Sequence, residues 1–235
     1  MAASDEPTAT DPTEVVAIDG PSGAGKSTIA RRLAVQLGYA FLDTGAMYRA
    51  ITWHFLEAGL QASSEASATP MQAALDAAQL ELRGDRVVLN GRDVTGHLRT
   101  REVESQVSAV SALPFVRARM GELQRQVAQS GPVVAEGRDM GSVVFPRARW
   151  KVYLDAAPSE RARRRCEDFA RQGRQVSEQD VLQEIEVRDR LDSTRSDAPL
   201  KQADDALYVD TTGMTQDGVI EHLLAYVRSA RKEAL

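Results

Sequence analysis

The chain has 235 residues, of which 43% are hydrophobic and 27% are charged, with a formal net charge of −5. This is the composition of a globular protein, and the length accommodates one α/β domain with an insertion. The acidic balance argues against a nucleic-acid or membrane surface that covers the whole molecule. The single cysteine, Cys166, excludes an intrachain disulfide, fits a reducing compartment and gives no indication of a zinc cage.

The N-terminal residues 1–13 are small, acidic and rich in Pro and Thr, so we interpret them as a disordered tail. They have neither the positive charge nor the apolar run of a secretory signal, and no apolar run in the chain approaches the length of a membrane span. We therefore expect a cytoplasmic protein with neither membrane nor nucleic acid among its partners. As a separate expectation, the protein is a monomer.

Short hydrophobic runs separated by helical patterns predict the strands of one sheet. These runs are Val15–Asp19, Ala40–Asp43, Val133–Ala135, Lys151–Asp155 and Ala206–Asp210. Such alternation predicts an α/β fold with a doubly wound, mostly parallel five-stranded sheet. Four runs end in Asp, and Glu136 follows the other. Open α/β sheets bind ligands at the carboxyl ends of their strands, so these acids indicate a site, although each one alone could simply cap a helix or turn.

The stretch after the first strand, "GPSGAGKST", has the spacing of a phosphate-binding P-loop. Its glycines let the backbone turn and point its amides inward, Lys26 offers a positive charge to the β- and γ-phosphates, and Ser27 offers a hydroxyl to Mg²⁺, largely through water and the nucleotide. Apolar residues at helical spacing follow at once. The sheet is therefore of the P-loop NTPase type. We expect ATP with Mg²⁺ to bind at Gly20, Pro21, Ser22, Gly23, Ala24, Gly25, Lys26, Ser27 and Thr28.

The second strand is followed by "LDTGAMYRA", in which Thr44 is predicted to cap the next helix. Arg49 lies about a turn and a half into that helix, near the edge of the sheet that carries the P-loop. Arg49 alone could also be an ordinary surface residue.

The regular alternation is interrupted between residues 61 and 100. A small, polar linker, "QASSEASATP", is followed by a short helical stretch and by "LEL" and "RVVLNG", which flank "RGD" with the composition of a β-hairpin. We interpret this segment as a subdomain inserted into the core. The predicted division is a tail at 1–13, core at 14–60, the inserted subdomain at 61–100, core at 101–157, a short helical lid at 158–176, and core at 177–235.

Two further stretches place arginines near the same edge of the sheet. In "SALPFVRARM", Pro114 predicts the start of a helix with Arg117 in its first turn. In "EGRDMGSVVFP", a tight turn after the third strand presents Arg138 and Asp139. Arg117 alone could lie on the surface, and the glycines of the second stretch could merely shape a turn.

The predicted lid is locally basic in an acidic chain. Residues 160–175 contain six arginines and three acids, and Arg161, Arg164 and Arg165 share a helical face, while Arg163 points elsewhere. Arginines at such a place can close over phosphates and offset the charge on the transferring oxygens. The alternative interpretation is a solvated basic helix.

In the next helix, predicted to begin near Ser177, "RDRLDSTR" places Arg188, Asp192 and Arg195 at i, i+4 and i+7 on one face. Such a face can bind a phosphate together with a hydroxyl-rich ligand. Taken alone, it is more often a solvated stripe of ion pairs.

Nucleotide binding leaves several functional classes open. A GTPase would need an Asn-Lys-x-Asp element, and the only asparagine, Asn90, is followed by Gly91. The acidic balance and small size weigh against a motor or nucleic-acid ATPase. A small kinase remains, and its anionic acceptor would need the second set of arginines. A kinase for another acceptor, such as UMP or shikimate, and a nucleotide-gated binding protein without transfer activity stay open.

Taken together, "GPSGAGKS", "LDTGAMYR", "SALPFVR", "EGRDMGSVVFP" and "RDRLDSTR" resemble, in this order, the motifs of the bacterial-type cytidylate kinases. This family belongs to the P-loop nucleoside monophosphate kinases, and its members transfer phosphate from ATP to CMP or dCMP. Two departures are Thr44, where many members have serine, and Glu136, where relatives often have aspartate. The resemblance implies the same reaction and an inserted region that binds the nucleoside monophosphate.

The resemblance also implies roles for individual residues. Those expected around the CMP phosphate are Thr44, Arg49, Arg138 and Arg188. Those expected to read or shape the cytosine pocket are Ser108, Arg117, Asp139 and Arg195, and Asp192 is expected to meet the ribose. The expected catalytic residues are Lys26, Arg138, Arg188 and the two lid arginines, Arg161 and Arg165.

Overall fold

The computed structural model describes residues 14–62, 68–171 and 173–232. The predicted tail lies outside these ranges, as do residues 63–67 of the predicted linker. Within them, no helix is both long and apolar enough to cross a bilayer.

The central sheet is parallel and has the predicted strands. They are β1 (Val15–Asp19), β2 (Ala40–Asp43), β6 (Val133–Glu136), β7 (Trp150–Asp155) and β8 (Leu207–Asp210). Their order across the sheet is β2-β6-β1-β7-β8, with every neighbouring pair parallel. The predicted fold class is confirmed, and the predicted strand ends differ from the observed ones by one residue at most.

Helices cover both faces of the sheet and form the connections. They are α1 (Lys26–Leu37), α2 (Thr44–Glu57), α3 (Ala68–Asp76), α4 (Arg101–Ser111), α5 (Pro114–Gln129), α6 (Pro158–Arg171), α7 (Glu178–Thr194) and α8 (Gln216–Lys232). Two shorter turns are a 3₁₀ helix at Thr95–His97 and a π-helical turn at Met140–Val144.

The core lies on both faces of the sheet because the side chains of a strand alternate between them. In β1, Val15 and Ala17 pack into a cluster with α2, α4 and α5, while Val16 and Ile18 pack into a second cluster with α1 and α8. A smaller third cluster joins α6 to α7 through Phe169 and neighbouring apolar residues. The helix that was predicted as a lid therefore has its own packed contact with α7.

The inserted segment contains the predicted hairpin, formed by β3 (Leu80–Arg83) and β4 (Arg86–Leu89). A short third strand, β5 (Arg92–Asp93), was not predicted. Asn90 and Gly91 connect β4 to β5, with φ of 51° and 76°. Asn-Gly is the preferred sequence for a tight hairpin turn of this kind, so the signal for the third strand was present in the sequence.

The P-loop begins at the carboxyl end of β1, between its neighbours β6 and β7. Gly20 has φ of +147°, and a Cβ atom there would lie 1.9 Å from the carbonyl oxygen of Leu154 on β7. Only glycine allows this approach, because any side chain would collide with backbone. The first glycine of the motif thus lets the loop leave the sheet beside β7.

Candidate active site

One cavity of about 430 Å³ opens at the carboxyl ends of the strands. This volume is in the range of small-molecule sites. Lys26 and ten arginines line it, against six carboxylates. A chain with a net charge of −5 therefore concentrates positive charge at one place, which favours an anionic ligand.

The P-loop forms one wall of this cavity. Residues 22–28 line it, while Gly20 and Pro21 lie behind the wall. Gly25 has φ of 85° and precedes α1, so the positive end of the helix faces the cavity. Lys26 is 5% exposed, and its Nζ donates to the carbonyl oxygen of Pro21 at 2.6 Å. Burial, with the charge of Arg138 as a second cause, lowers the pKa of Lys26 to about 7.

Glu136, at the end of β6, connects the P-loop to the start of α2. The hydroxyl of Ser27 donates to its carboxylate at 2.5 Å, and the hydroxyl of Thr44 donates to its backbone carbonyl at 2.7 Å. Burial, and then the charge of Asp43, raises the pKa of Glu136. Ser27, Thr44 and Glu136 thus meet where β1, β2 and β6 end.

The prediction that Thr44 caps α2 was wrong. The cap is Asp43, whose carboxylate accepts the amide of Ala46 at 2.8 Å, and Thr44 is the first residue of the helix. A carboxylate one position earlier satisfies the free amide of the first turn. The Thr44 hydroxyl is therefore free to reach across to β6.

Asp19 holds the turn after β6 against the P-loop. Its carboxylate accepts the amides of Met140 and Gly141, each at 2.7 Å, and it is 3% exposed. Burial raises the pKa of Asp19 to about 7. From the sequence, Asp19 was predicted only as one of the acids at strand ends, since its partners lie far along the chain.

Arg49, Arg138 and Arg188 line the same cavity as the P-loop and lie close enough together for their charges to interact. The Nε of Arg138 donates to Asp192 at 2.9 Å. The Nε atoms of Arg49 and Arg188 are buried and have no hydrogen-bond partner among the described residues. Burial, followed by the charges of Arg138 and Arg49, lowers the pKa of Arg188 to about 9. Burial also lowers the pKa of Arg49, although Asp43, Glu104 and Glu136 attract it. An anion bound beside these two guanidinium groups would supply a closer counter-charge.

Arg117, Asp139 and Arg195 form a second, more balanced group. Arg117 is buried and paired with the carboxylate of Asp139, and Arg195 lies 3.9 Å from the same carboxylate. Asp197 lies 3.3 Å from the Nε of Arg117. Tyr48 completes this end of the cavity, and burial raises its pKa to about 12. Neither Asp197 nor Tyr48 was identified from the sequence.

One prediction about this group needs correction. Arg195 is not part of the α7 face, because the helix ends at Thr194 and Arg195 has an extended backbone. Its side chain returns to the cavity, where its Nε donates to the carbonyl of Ala198 at 2.7 Å. On α4, Val107 and Ser111 line the cavity, and the role of their neighbour Ser108 stays a prediction.

The lid arginines are also arranged differently from the prediction. Arg161 is 5% exposed and donates to the carbonyls of Ser22 and Ala156 and to the carboxylate of Asp189. Asp189 also accepts the amide of Ser22 at 3.2 Å. Arg161 therefore supports the P-loop from behind.

The other arginines of α6 line the cavity. Arg165 forms an ion pair with Glu104 on α4 at 3.0 Å, and Arg164 donates to the carbonyl of Thr211 at 2.7 Å. Arg163 was expected to point away from the other lid arginines, and it does pair with Glu160 and Glu167 of its own helix. It nevertheless lines the cavity as well.

The comparisons with known proteins agree on one family. A family model described as cytidylate kinase matches residues 16–229. The chain is 46% identical over 216 residues to a cytidylate kinase of Carboxydothermus hydrogenoformans, which covers 90% of this chain and 96% of that protein. It is 47% identical over 215 residues to a cytidylate kinase of Mycobacterium leprae, with coverage of 91% and 95%.

Two further matches concern length and fold. The chain is 48% identical over 217 residues to a bifunctional pantoate ligase/cytidylate kinase of Synechococcus sp. strain CC9902, with 91% of this chain but 45% of that protein covered. A crystal structure of an uncharacterized protein from Eubacterium ventriosum covers 92% of this chain and 99% of its own, with a TM-score of 0.51 and 14% identity. At that identity the likeness concerns the fold alone.

The position of Arg161 leads to a testable prediction. We expect Arg161→Ala to lower the free energy of unfolding by about 2–4 kcal/mol, because Ser22 and Asp189 lose a buried, charged donor. Arg163→Ala, on the same helix but half exposed, should change it by less than about 1 kcal/mol. Urea denaturation followed by circular dichroism measures both. Equal losses in the two variants would contradict the supporting role of Arg161.

Proposed function

The chain belongs to the cytidylate kinase family, and we propose that it is an ATP-dependent nucleoside monophosphate kinase. The reaction is transfer of the γ-phosphoryl group of ATP to CMP or dCMP, giving ADP and CDP or dCDP. The observation that carries this proposal is a cavity lined both by a P-loop and by Arg49 and Arg188, whose buried Nε atoms have no hydrogen-bond partner in the described part of the chain. A kinase needs two phosphate sites in line, and this arrangement supports two.

On the donor side, the P-loop amides and Lys26 bind the β- and γ-phosphates of ATP. Arg164 and Arg165 line the same cavity and can offset charge on the transferring oxygens. Arg161 does not have that role in this proposal, because its guanidinium donates to the P-loop carbonyl of Ser22 and to Asp189.

On the acceptor side, we propose that Arg49, Arg138, Arg188 and the Thr44 hydroxyl bind the CMP phosphate and that Asp192 meets the ribose. The attacking nucleophile is an oxygen of that phosphate, so the protein supplies no nucleophile of its own. Catalysis then consists of holding two anionic groups together and stabilising the charge that develops between them.

At the base end, we propose that Arg117, Asp139 and Arg195 read cytosine. Its edge presents an amine, a ring nitrogen that accepts, and a carbonyl, so a carboxylate and guanidinium donors complement it. A site built from buried polar groups discriminates strongly, because the wrong base leaves one of them without a partner.

The residues beside the P-loop fit a magnesium ion. The Ser27 hydroxyl and the Glu136 carboxylate are hard oxygen ligands, 2.5 Å apart. Mg²⁺ is usually held by one or two carboxylates together with substrate phosphates and water, so the two side chains suffice. When bound with ATP, the ion would neutralise charge on the phosphate oxygens.

We further propose that the enzyme is a cytoplasmic monomer and that nucleic acid is not a partner. The net negative charge supports the last point, since the positive charge is concentrated in the cavity.

An acceptor panel tests the proposed reaction. With ATP and Mg²⁺, we expect CMP and dCMP to release ADP faster than UMP, AMP or shikimate, as followed by a coupled ADP assay. Turnover of UMP or AMP without turnover of CMP would contradict the proposal. ATP binding with no acceptor-dependent ADP release would instead identify a nucleotide-gated binding protein.

The acceptor-phosphate role of Arg188 gives a second prediction. Arg188→Ala should lower kcat/KM for CMP by about 10- to 100-fold, since a charged hydrogen bond contributes roughly 1.5–3 kcal/mol. Arg190→Ala is the matched control, because Arg190 lies on the same helix but is exposed. Similar kinetics for the two variants would contradict this role and favour the alternative interpretation, in which this face of α7 is a stripe of solvated ion pairs.

The buried amine of Lys26 gives a third prediction. With its pKa lowered to about 7, it is largely neutral at pH 8 in the free enzyme. Phosphates beside it favour the charged form, so ATP binding at pH 8 should take up a proton, and this uptake should fall as the pH falls through 7. Calorimetry in buffers of different ionisation enthalpy measures the uptake, and Lys26→Met should abolish it. Equal uptake by the two proteins would contradict the assignment.

A further inference from the structure

The ten arginines that line the cavity differ in whether a carboxylate neutralises them. Seven have an acidic partner within 4.0 Å, namely Arg117, Arg138, Arg163, Arg164, Arg165, Arg171 and Arg195. The other three, Arg49, Arg99 and Arg188, have neither a hydrogen bond nor an ion pair to any residue that the structure describes. These three are the arginines left for a ligand.

Arg99 is the member of this trio that lies in none of the motifs recognised in the sequence. It lies between the 3₁₀ helix and α4, on the segment through which the inserted region rejoins the core. It lines the main cavity and also a small recess shared with Glu104 and Arg165. The two acids that line this recess, Glu104 and Asp168, are both paired with other arginines. Glu104 lies 3.0 Å from Arg165, and Asp168 lies 2.7 Å from Arg171.

The charge of Arg99 acts on Arg49. Burial is the main cause that lowers the pKa of Arg49, and Arg99 is the next. Asp43, Glu104 and Glu136 also attract Arg49, and Arg99 is exposed, so water screens part of its charge. An anion bound between the two guanidinium groups would offset the repulsion that remains. Arg188, which contributes repulsion of its own toward Arg49, faces the same space.

We propose that Arg99 is a further acceptor-binding residue, which contacts the phosphate of the nucleoside monophosphate together with Arg49 and Arg188. This inference rests on the proposed function and deepens it. The base end of the cavity is not its target, because the guanidinium groups there, Arg117 and Arg195, are already paired with Asp139. The acceptor phosphate would thus be held from α2, from α7 and from the segment that follows the insertion.

The test separates phosphate binding from base binding. Arg99→Ala should raise KM for CMP by about tenfold, as expected for the loss of a charged contact to phosphate. The inhibition constant of cytidine, which has the base but no phosphate, and the Kd for ATP should stay within about twofold of their normal values. Arg99→Lys, which keeps the charge but loses the planar fork, should recover part of the loss.

Arg101→Ala is the matched control, because Arg101 is exposed on the neighbouring turn and does not line the cavity. Its KM for CMP should equal that of the unmodified protein. The inference is overturned if Arg99→Ala leaves KM for CMP unchanged, lowers only kcat, or weakens cytidine as much as CMP. If the unmodified protein does not phosphorylate CMP at all, it is the proposed function that fails.

Discussion

Both ends of the cavity depend on one buried carboxylate. Asp19 ends the central strand, directly before the first P-loop glycine, and it accepts two amides from the turn that carries Arg138 and Asp139. The donor loop and the acceptor turn are therefore fixed to the same group. Because water does not reach this carboxylate, its hydrogen bonds have little competition. The spacing between the two proposed phosphate sites is thus a property of the sheet, present before either substrate arrives.

The charges around this fixed frame do not cancel, because the packing pairs some of the arginines with acids and leaves others without one. Most arginines in the cavity are neutralised by neighbouring acids, and one of these pairs, Arg165 with Glu104, joins α6 to α4. Outside the cavity, the pair of Arg161 with Asp189 joins α6 to α7. A few arginines, among them Arg49 and Arg188, are left without such partners while burial lowers their pKa values. Arginines with a carboxylate partner thus hold elements of the fold together, whereas those without one remain available to a ligand. Phosphate groups would relieve the repulsion that the fold itself leaves in place.

Local patterns predicted the strands, the P-loop and the first hairpin, because each depends on residues close in sequence. The site residues were predicted less well, since their roles depend on partners far along the chain. Arg161 lies in a basic stretch that is typical of a lid, yet its hydrogen bonds to Asp189 and to the carbonyl of Ser22 direct its side chain toward the P-loop. Arg195 follows the helical spacing but lies beyond the end of the helix. Arg99 belongs to no recognised motif, and the two acids that share its recess, Glu104 and Asp168, are paired with other arginines.

The strand order also determines when this site can first exist during synthesis. β1 is made early, but its hydrogen-bonding neighbours are β6 and β7. The first of these partners is complete only when Glu136 has left the ribosome, and the second only when Asp155 has. Until then, the hydrophobic strand before the P-loop has no sheet to join. Folds dominated by such distant pairings form slowly and expose apolar strands while they wait. The central position that makes β1 a rigid support for catalysis therefore leaves it unprotected for much of the time that the chain is being made.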